Sequence, residues 1–281
     1  MAISGATGAT LTLNAVSAAE AGLYRVVVSN SAGSVTSSEA SLTVYAPNPA
    51  ARLANLSVRT ALAAGDTLIV GLSVGGGSRG VLVRAVGPTL GAFGVGGAMT
   101  DPRLELYNGQ IRVFANDDWP QTLSSVFPTV GAFALGNGSK DAGFLQTVEG
   151  TRSIMAQGTG AGVVLVEAYD TGAPSAARLV NVSARNRVGT GDDILIAGFN
   201  ISGPAGTAPK PLLIRAVGPG LAALGVPGTL ADPKLEIFDS GGAKVVENDS
   251  WNASLAAVFS SVGAFALPAV SRDAALVVSL P

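Results

Sequence analysis

The sequence predicts an all-β fold, and three observations predict it. Short runs of β-branched and apolar residues alternate with polar ones, Gly, Pro, Asn and Asp break these runs every ten residues or so, and a long stretch of the chain occurs twice. Charged residues make up 13%, about half the usual globular share of roughly 25%, while Gly reaches 37 and the hydrophobic fraction 48%. Such a chain is turn-rich, weakly charged and apolar. At 281 residues it can build ordinary cores without staples.

The elements follow in order. Ala9 to Leu13 alternates as a strand; Ala19 to Tyr24 leads through a corner into the strand Arg25 to Val28; Asn30-Ser31-Ala32-Gly33 is a turn; Ser34 to Val44 alternates again. Leu11, Leu13, the Glu20-x-Gly22-x-Tyr24 corner, Asn30 and Gly33 resemble the closing half of an immunoglobulin-like domain. The resemblance makes Tyr24 the corner tyrosine and puts Val26 where antibody-type domains carry their second cysteine, so packing alone replaces the inter-sheet disulfide. Residues 1–46 are then a partial domain with closing strands only, and 47–51, with Pro47 and Pro49, a linker.

The repeat occupies the rest. Arg52-Leu-Ala-Asn-Leu-Ser-Val-Arg59 returns as Arg178-Leu-Val-Asn-Val-Ser-Ala-Arg185, and Val81-Leu-Val-Arg-Ala-Val-Gly-Pro88 as Leu212-Leu-Ile-Arg-Ala-Val-Gly-Pro219. Asp101 to Leu106, Asn116 to Trp119 and Gly131 to Leu135 return as Asp232 to Ile237, Asn248 to Trp251 and Gly263 to Leu267. The period, about 126 to 132 residues, is that of a whole domain and too long for a solenoid unit. The expected units are residues 52–174 and 175–281, each a β-sandwich or jelly roll, with one brief helical stretch at Thr122 to Val130 and its counterpart. Gly75 to Gly80 is read as a hairpin connection. Copy one closes with two strands in Thr151 to Tyr169 that copy two lacks, Pro281 aligning near Glu149. The array is therefore expected to be clipped at both ends, or to have open sheet edges that another molecule fills.

The late part of each copy, Asp-Pro-x-Leu-Glu followed by a turn and Asn-Asp, is similar to pre-peptidase C-terminal domains. The whole copy resembles repeats of large exported proteins of the Verrucomicrobia type. These motifs are turns and strands, and the resemblance implies a module rather than a reaction.

Composition narrows the partners. A net charge of -2 without a Lys/Arg block gives no footprint for nucleic acid. Mean hydropathy is +0.44, yet Gly, Pro, Asp or Arg interrupts every apolar run short of the ~18 residues a membrane-spanning helix needs. The first residues lack a basic and apolar leader, so a signal for export is expected upstream. With no Cys the redox compartment stays open, and with no His the histidine triads, histidine general bases and usual zinc sites are excluded.

Four sets of residues are candidates. Asp117, Asp118 and Asp249 lie in acidic turns that could offer oxygens to calcium or simply form Asx-turns. Arg84 and Arg215 sit inside apolar strands, Arg84 on the face of Leu82 and Val86; a buried guanidinium needs a partner, and Glu105 and Glu236 are the expected ones. Trp119 and Trp251 could stack on a sugar or cap the core. Glu105, Glu149, Glu167 and Asp117 are the carboxylates on which a glycosidase-type site would have to run. No catalytic or cofactor-binding residue is assigned.

The expected function is a non-catalytic structural or adhesive array in a large extracellular or cell-surface bacterial protein, its partners being its own neighbouring modules, polysaccharide or surface proteins. The other reading is an accessory, substrate- or carbohydrate-binding region of a secreted hydrolase.

Overall fold

The computed structural model describes residues 2–13, 16–42, 44, 51–173, 175–191, 194–204 and 209–280. The fold is all-β: strands take 47% of the chain and helices 11%. Among the described residues no helix is long and apolar enough to cross a membrane.

In the N-terminal segment β1 (Gly22–Tyr24) pairs with β4 (Ala40–Leu42), and β2 (Val27–Asn30) with β3 (Gly33–Thr36), all antiparallel. The Tyr24 hydroxyl donates to the Glu20 carbonyl at 2.5 Å, the bond expected of a corner tyrosine. Two expectations fail. Residues 9–13 form no strand, and Val26 is 56% exposed instead of packed, in a segment none of whose described residues is buried. The linker 47–51 lies, apart from Ala51, outside the described residues.

The main sheet has eight strands. Six come from the first repeat: β5 (Arg52–Leu62), β6 (Leu68–Val86), β7 (Pro102–Asn108), β8 (Ile111–Asn116), β9 (Ala142–Gly158) and β10 (Gly162–Asp170). β6 and β9 form its long axis, pairing from Leu68↔Ala156 to Ala85↔Ala142. The Gly75 to Ser78 run is a bulge inside β6, with Val74 opposite Gly150 and Arg79 opposite Val148, and not the expected hairpin. Glycine suits it: Gly76 has φ 79, open to glycine at no steric cost, and a Cβ there would strike the Ala176 carbonyl.

The other two strands come from the second repeat: β11 (Arg178–Arg185) and β12 (Ile196–Ser202). β12 pairs with β5, from Arg52↔Ser202 to Arg59↔Ile196, and β11 with β6, from Arg178↔Gly75 to Arg185↔Ile69. Seven residue pairs match in each case, and the registers are equivalent under the sequence repeat: Leu53↔Ile201 corresponds to Leu179↔Val74, and Asn55↔Asn200 to Asn181↔Ser73. Leu53 and Leu179, themselves equivalent, pair where β5 and β11 meet. The copies have exchanged strands. A boundary at 174/175 therefore does not separate two self-contained units, since β11 and β12 complete the sheet of residues 52–170. Small residues permit the close pairing: a Cβ on Gly71 would lie 2.5 Å from Ser183 Oγ, and one on the equivalent Gly198 2.9 Å from Ser57 Oγ.

The rest of the second repeat contributes β13 (Lys210–Ala216) with β16 (Ala274–Leu280), and β14 (Leu235–Phe238) with β15 (Lys244–Asn248). One core cluster lies on the alternate residues of β5, β6, β9 and β10. A second gathers Leu82, Val86 and Tyr169 under the short turns Pro88–Phe93, Gln121–Ser125 and Phe127–Val130. The expected helical stretch near Thr122 to Val130 is those last two 3₁₀ turns, and its counterpart is the helix Ala256–Ser261.

Candidate functional site

Alternation along β6 puts Arg84 on the face of Leu82 and Val86, as expected, and the side chain is fully buried. Its partner is Glu167, the residue opposite it across the β6–β10 pair. Arg84 donates to Glu167 Oε2 from Nε at 3.1 Å and Nη2 at 2.5 Å, and from Nη1 to the Phe133 carbonyl at 2.5 Å. The Tyr169 hydroxyl donates to the other carboxylate oxygen at 2.6 Å. The guanidinium lies 4.8 Å from the Phe127 ring centroid and 4.5 Å from that of Phe133, so charge, hydrogen bonds and π faces all meet it.

Glu105 is not the partner. β7 is separated from β6 by β9, and Glu105 pairs with Met155 on the back half of β9, while Arg84 pairs with Gly143 on the front half. Glu105 instead accepts from Arg103 at 2.5 Å, Arg112 at 2.7 Å and the Tyr107 hydroxyl at 2.7 Å. The Tyr107 bond, with these two cations, holds its carboxyl below the ordinary glutamate range against the effect of burial. Glu236 likewise binds Lys234 at 3.0 Å and Lys244 at 3.3 Å, not Arg215.

Burial first, and the Glu167 charge second, push the Tyr169 phenol above its ordinary value of about 10. The folded state therefore favours neutral Tyr169. Its contribution is whole below about pH 10 and is lost as pH rises toward the folded value, because the unfolded chain ionises first. We expect the urea midpoint to fall between pH 9.5 and 11.5, roughly a one-proton slope of which disappears in Tyr169→Phe; an unchanged slope in that variant counts against the assignment.

Arg215, the counterpart in the second repeat, lacks such a carboxylate. It donates to the Phe265 carbonyl at 2.7 Å and stacks on Phe265 and Phe259 at 4.3 and 5.0 Å. It is half-buried, and burial lowers its pKa against the opposing effect of Asp273. Among the described residues no carboxylate forms an ion pair with it.

Two buried carboxylates were not anticipated. Asp141 and Asp273 are both 0% exposed. Asp141 accepts from the Gly87 amide at 2.7 Å, the Ser139 hydroxyl at 2.6 Å and the Thr89 hydroxyl, while its carbonyl accepts from the Trp119 amide at 2.8 Å. Asp273 accepts from the Gly218 amide at 2.8 Å, the Gly220 amide and the Ser271 hydroxyl at 2.6 Å, and its carbonyl from Trp251. Each carboxylate pins the Gly-Pro turn that ends its Arg-containing strand. The duplicated Ser139-Lys140-Asp141 and Ser271-Arg272-Asp273 triplets were the available signal.

The acidic turns are engaged with the protein itself. Asn116 accepts from the Gly143 amide and donates to the Asp118 carbonyl, both at 2.8 Å, and Asn248 repeats this with Ala275 and Ser250. Asp118 pairs with Lys140 at 2.8 Å; Asp117 and Asp249 are exposed. Among the described residues no three His, Cys, Asp or Glu side chains gather to hold a metal, and Asn116 and Asn248 bond their local backbone as Asx-turns do. Trp119 is buried against Phe127, its indole nitrogen donating to Ser139 at 3.1 Å; the partly exposed Trp251 makes the same contacts with Phe259 and Ser271. Trp119 therefore caps the core and presents no platform for a sugar. Of the four carboxylates considered for hydrolysis, Glu105 and Glu167 are buried within ion pairs, while Glu149 is exposed on β9 and Asp117 is exposed in the bend after β8.

A scan against protein-family models found no match to the chain, and neither did searches of curated proteins and of solved structures.

Proposed function

We propose that the chain is a non-catalytic, load-bearing module array of a large extracellular or cell-surface bacterial protein. The observation that carries this reading is the strand exchange between the two repeats. Seven residue pairs in β5–β12 and seven in β6–β11 must be broken before the repeats can part, and long antiparallel pairs resist separation along their length. The deepest polar groups, Arg84, Glu167, Asp141 and Asp273, are spent on holding strands and turns to one another. The Tyr24 corner supports an immunoglobulin-like module ahead of them. The resemblance to repeats of exported proteins supports the location.

Single-molecule pulling between residues 51 and 280 tests it. The expected trace releases the exchanged strands in one event that joins both repeats. Two independent events of about 100 residues each, as separate domains would give, overturn the reading.

A further inference from the structure

β5 and the front of β6 (residues 68–74) take their partners from the other repeat, and those partners are their own equivalents: β12 stands in the place of the front of β6, and β11 in that of β5. The fit is the same in both directions. Arg59↔Ile196 matches Arg185↔Ile69, and Ser57 lies over Gly198 as Ser183 lies over Gly71. Such pairs read backbone and register, so β11 and β12 of another copy would satisfy β5 and β6 equally well. All the strands concerned lie within residues 52–202.

What ties the exchange to one chain is the connection from β10 to β11, residues 171–177. Arg79 holds it. This arginine, just past the bulge of β6 and only 6% exposed, pairs with Asp170 at 2.5 Å and donates to the Gly172 carbonyl at 2.6 Å, the Ala173 carbonyl at 2.7 Å and the Ser175 hydroxyl at 3.0 Å. Asp170 also accepts from the Gly172 amide at 3.0 Å, and a Cβ on Gly172 would strike the guanidinium. β6 and β10 already pair through Val81↔Asp170, so these bonds serve the connection rather than the sheet. They fix the direction in which the chain leaves β10 and so deliver β11 to the β6 of the same chain.

We propose that β5 and the front of β6 are a docking surface for β11 and β12 of a second copy of this chain, and that the Arg79 clamp on residues 170–175 keeps the exchange within one chain. Two copies that trade β11 and β12 form the same strand pairs as two single chains. The linked and single forms then differ only at the connection and in the effective concentration of the strands. The proposal rests on the exchange that carries the load-bearing reading and extends it from joining repeats to joining chains.

The chain has no cysteine, so introduced thiols report single contacts. Arg59 and Ile196 are exposed and directly opposite one another, at a spacing that a disulfide spans. With both changed to Cys in one chain, oxidation at high dilution should give an intrachain disulfide; its absence would sink the exchange itself, and the load-bearing reading with it. An Arg59→Cys chain and an Ile196→Cys chain are then unfolded in urea, refolded together and oxidised, and mass spectrometry reads the mixed disulfide. The expected yield rises with protein concentration and stands well above that of Arg59→Cys with Val270→Cys, an exposed position outside residues 52–202. Adding Arg79→Met to both chains should raise the mixed product about tenfold. Because that change leaves Asp170 buried and unpaired, Arg79→Met with Asp170→Leu is measured beside it and should give the same rise. An intrachain disulfide without mixed product above the Val270 control, or a mixed yield that neither clamp variant raises, overturns the proposal and leaves the load-bearing reading standing.

Discussion

Arg84→Ala is expected to cost about 3–5 kcal/mol of stability, and Arg215→Ala only about 1 kcal/mol, although the two arginines occupy the same place in the sequence repeat. The difference lies in what each leaves behind. Removing Arg84 strands Glu167 as a buried carboxylate whose remaining side-chain donor is the Tyr169 hydroxyl, beside a cavity lined by Phe127 and Phe133. An uncompensated charge in such a place must be desolvated or protonated, and both routes are unfavourable at neutral pH. Removing Arg215 strands only the Phe265 carbonyl and two ring faces. Urea unfolding followed by circular dichroism measures both. The double change Arg84→Met with Glu167→Leu should be milder than Arg84→Ala, since it withdraws both charges together. Equal losses for the two single arginine variants would show that Glu167 is not what makes the first site costly to break.

Asp141→Ala is expected to destabilise by about 3 kcal/mol, and Asp141→Asn by about half as much. The hydroxyls of Thr89 and Ser139 can turn to other acceptors, but the Gly87 amide is fixed by the turn and would be left buried without one. Asparagine keeps one acceptor oxygen for that amide, hence the smaller loss. The turn has little room to rearrange, since a Cβ on Gly87 would already strike the Met99 carbonyl. The Ser139 hydroxyl that binds Asp141 also accepts from Trp119, so the loss should carry a red shift and broadening in tryptophan emission. Thermal unfolding followed by that emission reads both effects. A stable Asp141→Ala protein with unchanged emission removes the carboxylate from its role as anchor of the turn.

Much of the site was within reach of the sequence, and its limits are physical. Period-two alternation placed Arg84 on the apolar face with Leu82 and Val86, because side chains of a strand point to one side at every second residue. It could not name Glu167, because the residue opposite on a neighbouring strand depends on which strand is the neighbour. Glu105 looked equally suitable, lying between two leucines, yet β9 stands between its strand and that of Arg84. The turns Asn116-Asp117-Asp118 and Asn248-Asp249-Ser250 were legible as turns because Asn bonds its local backbone. Trp119 was ambiguous for the opposite reason: burial is a property of what covers a residue, and its cover comes from Phe127 and Ser139.

The sequence by itself determined the all-β character, the turns, the corner at Tyr24 and the equivalence of the two repeats. These follow from local preferences: where the backbone tolerates Gly and Asn, which face a side chain takes, and how a pattern recurs. The tertiary structure decided the pairing. β5 and β11 carry similar sequences, and β12 and the front of β6 share the same pattern of apolar and small residues, so either choice of partner satisfies the same local rules. Hydrogen bonds between strands read backbone and not sequence, and similarly patterned strands make alternative pairings close in local energy. The choice falls to the packing of the whole sheet, which joined each strand to the other repeat's partner.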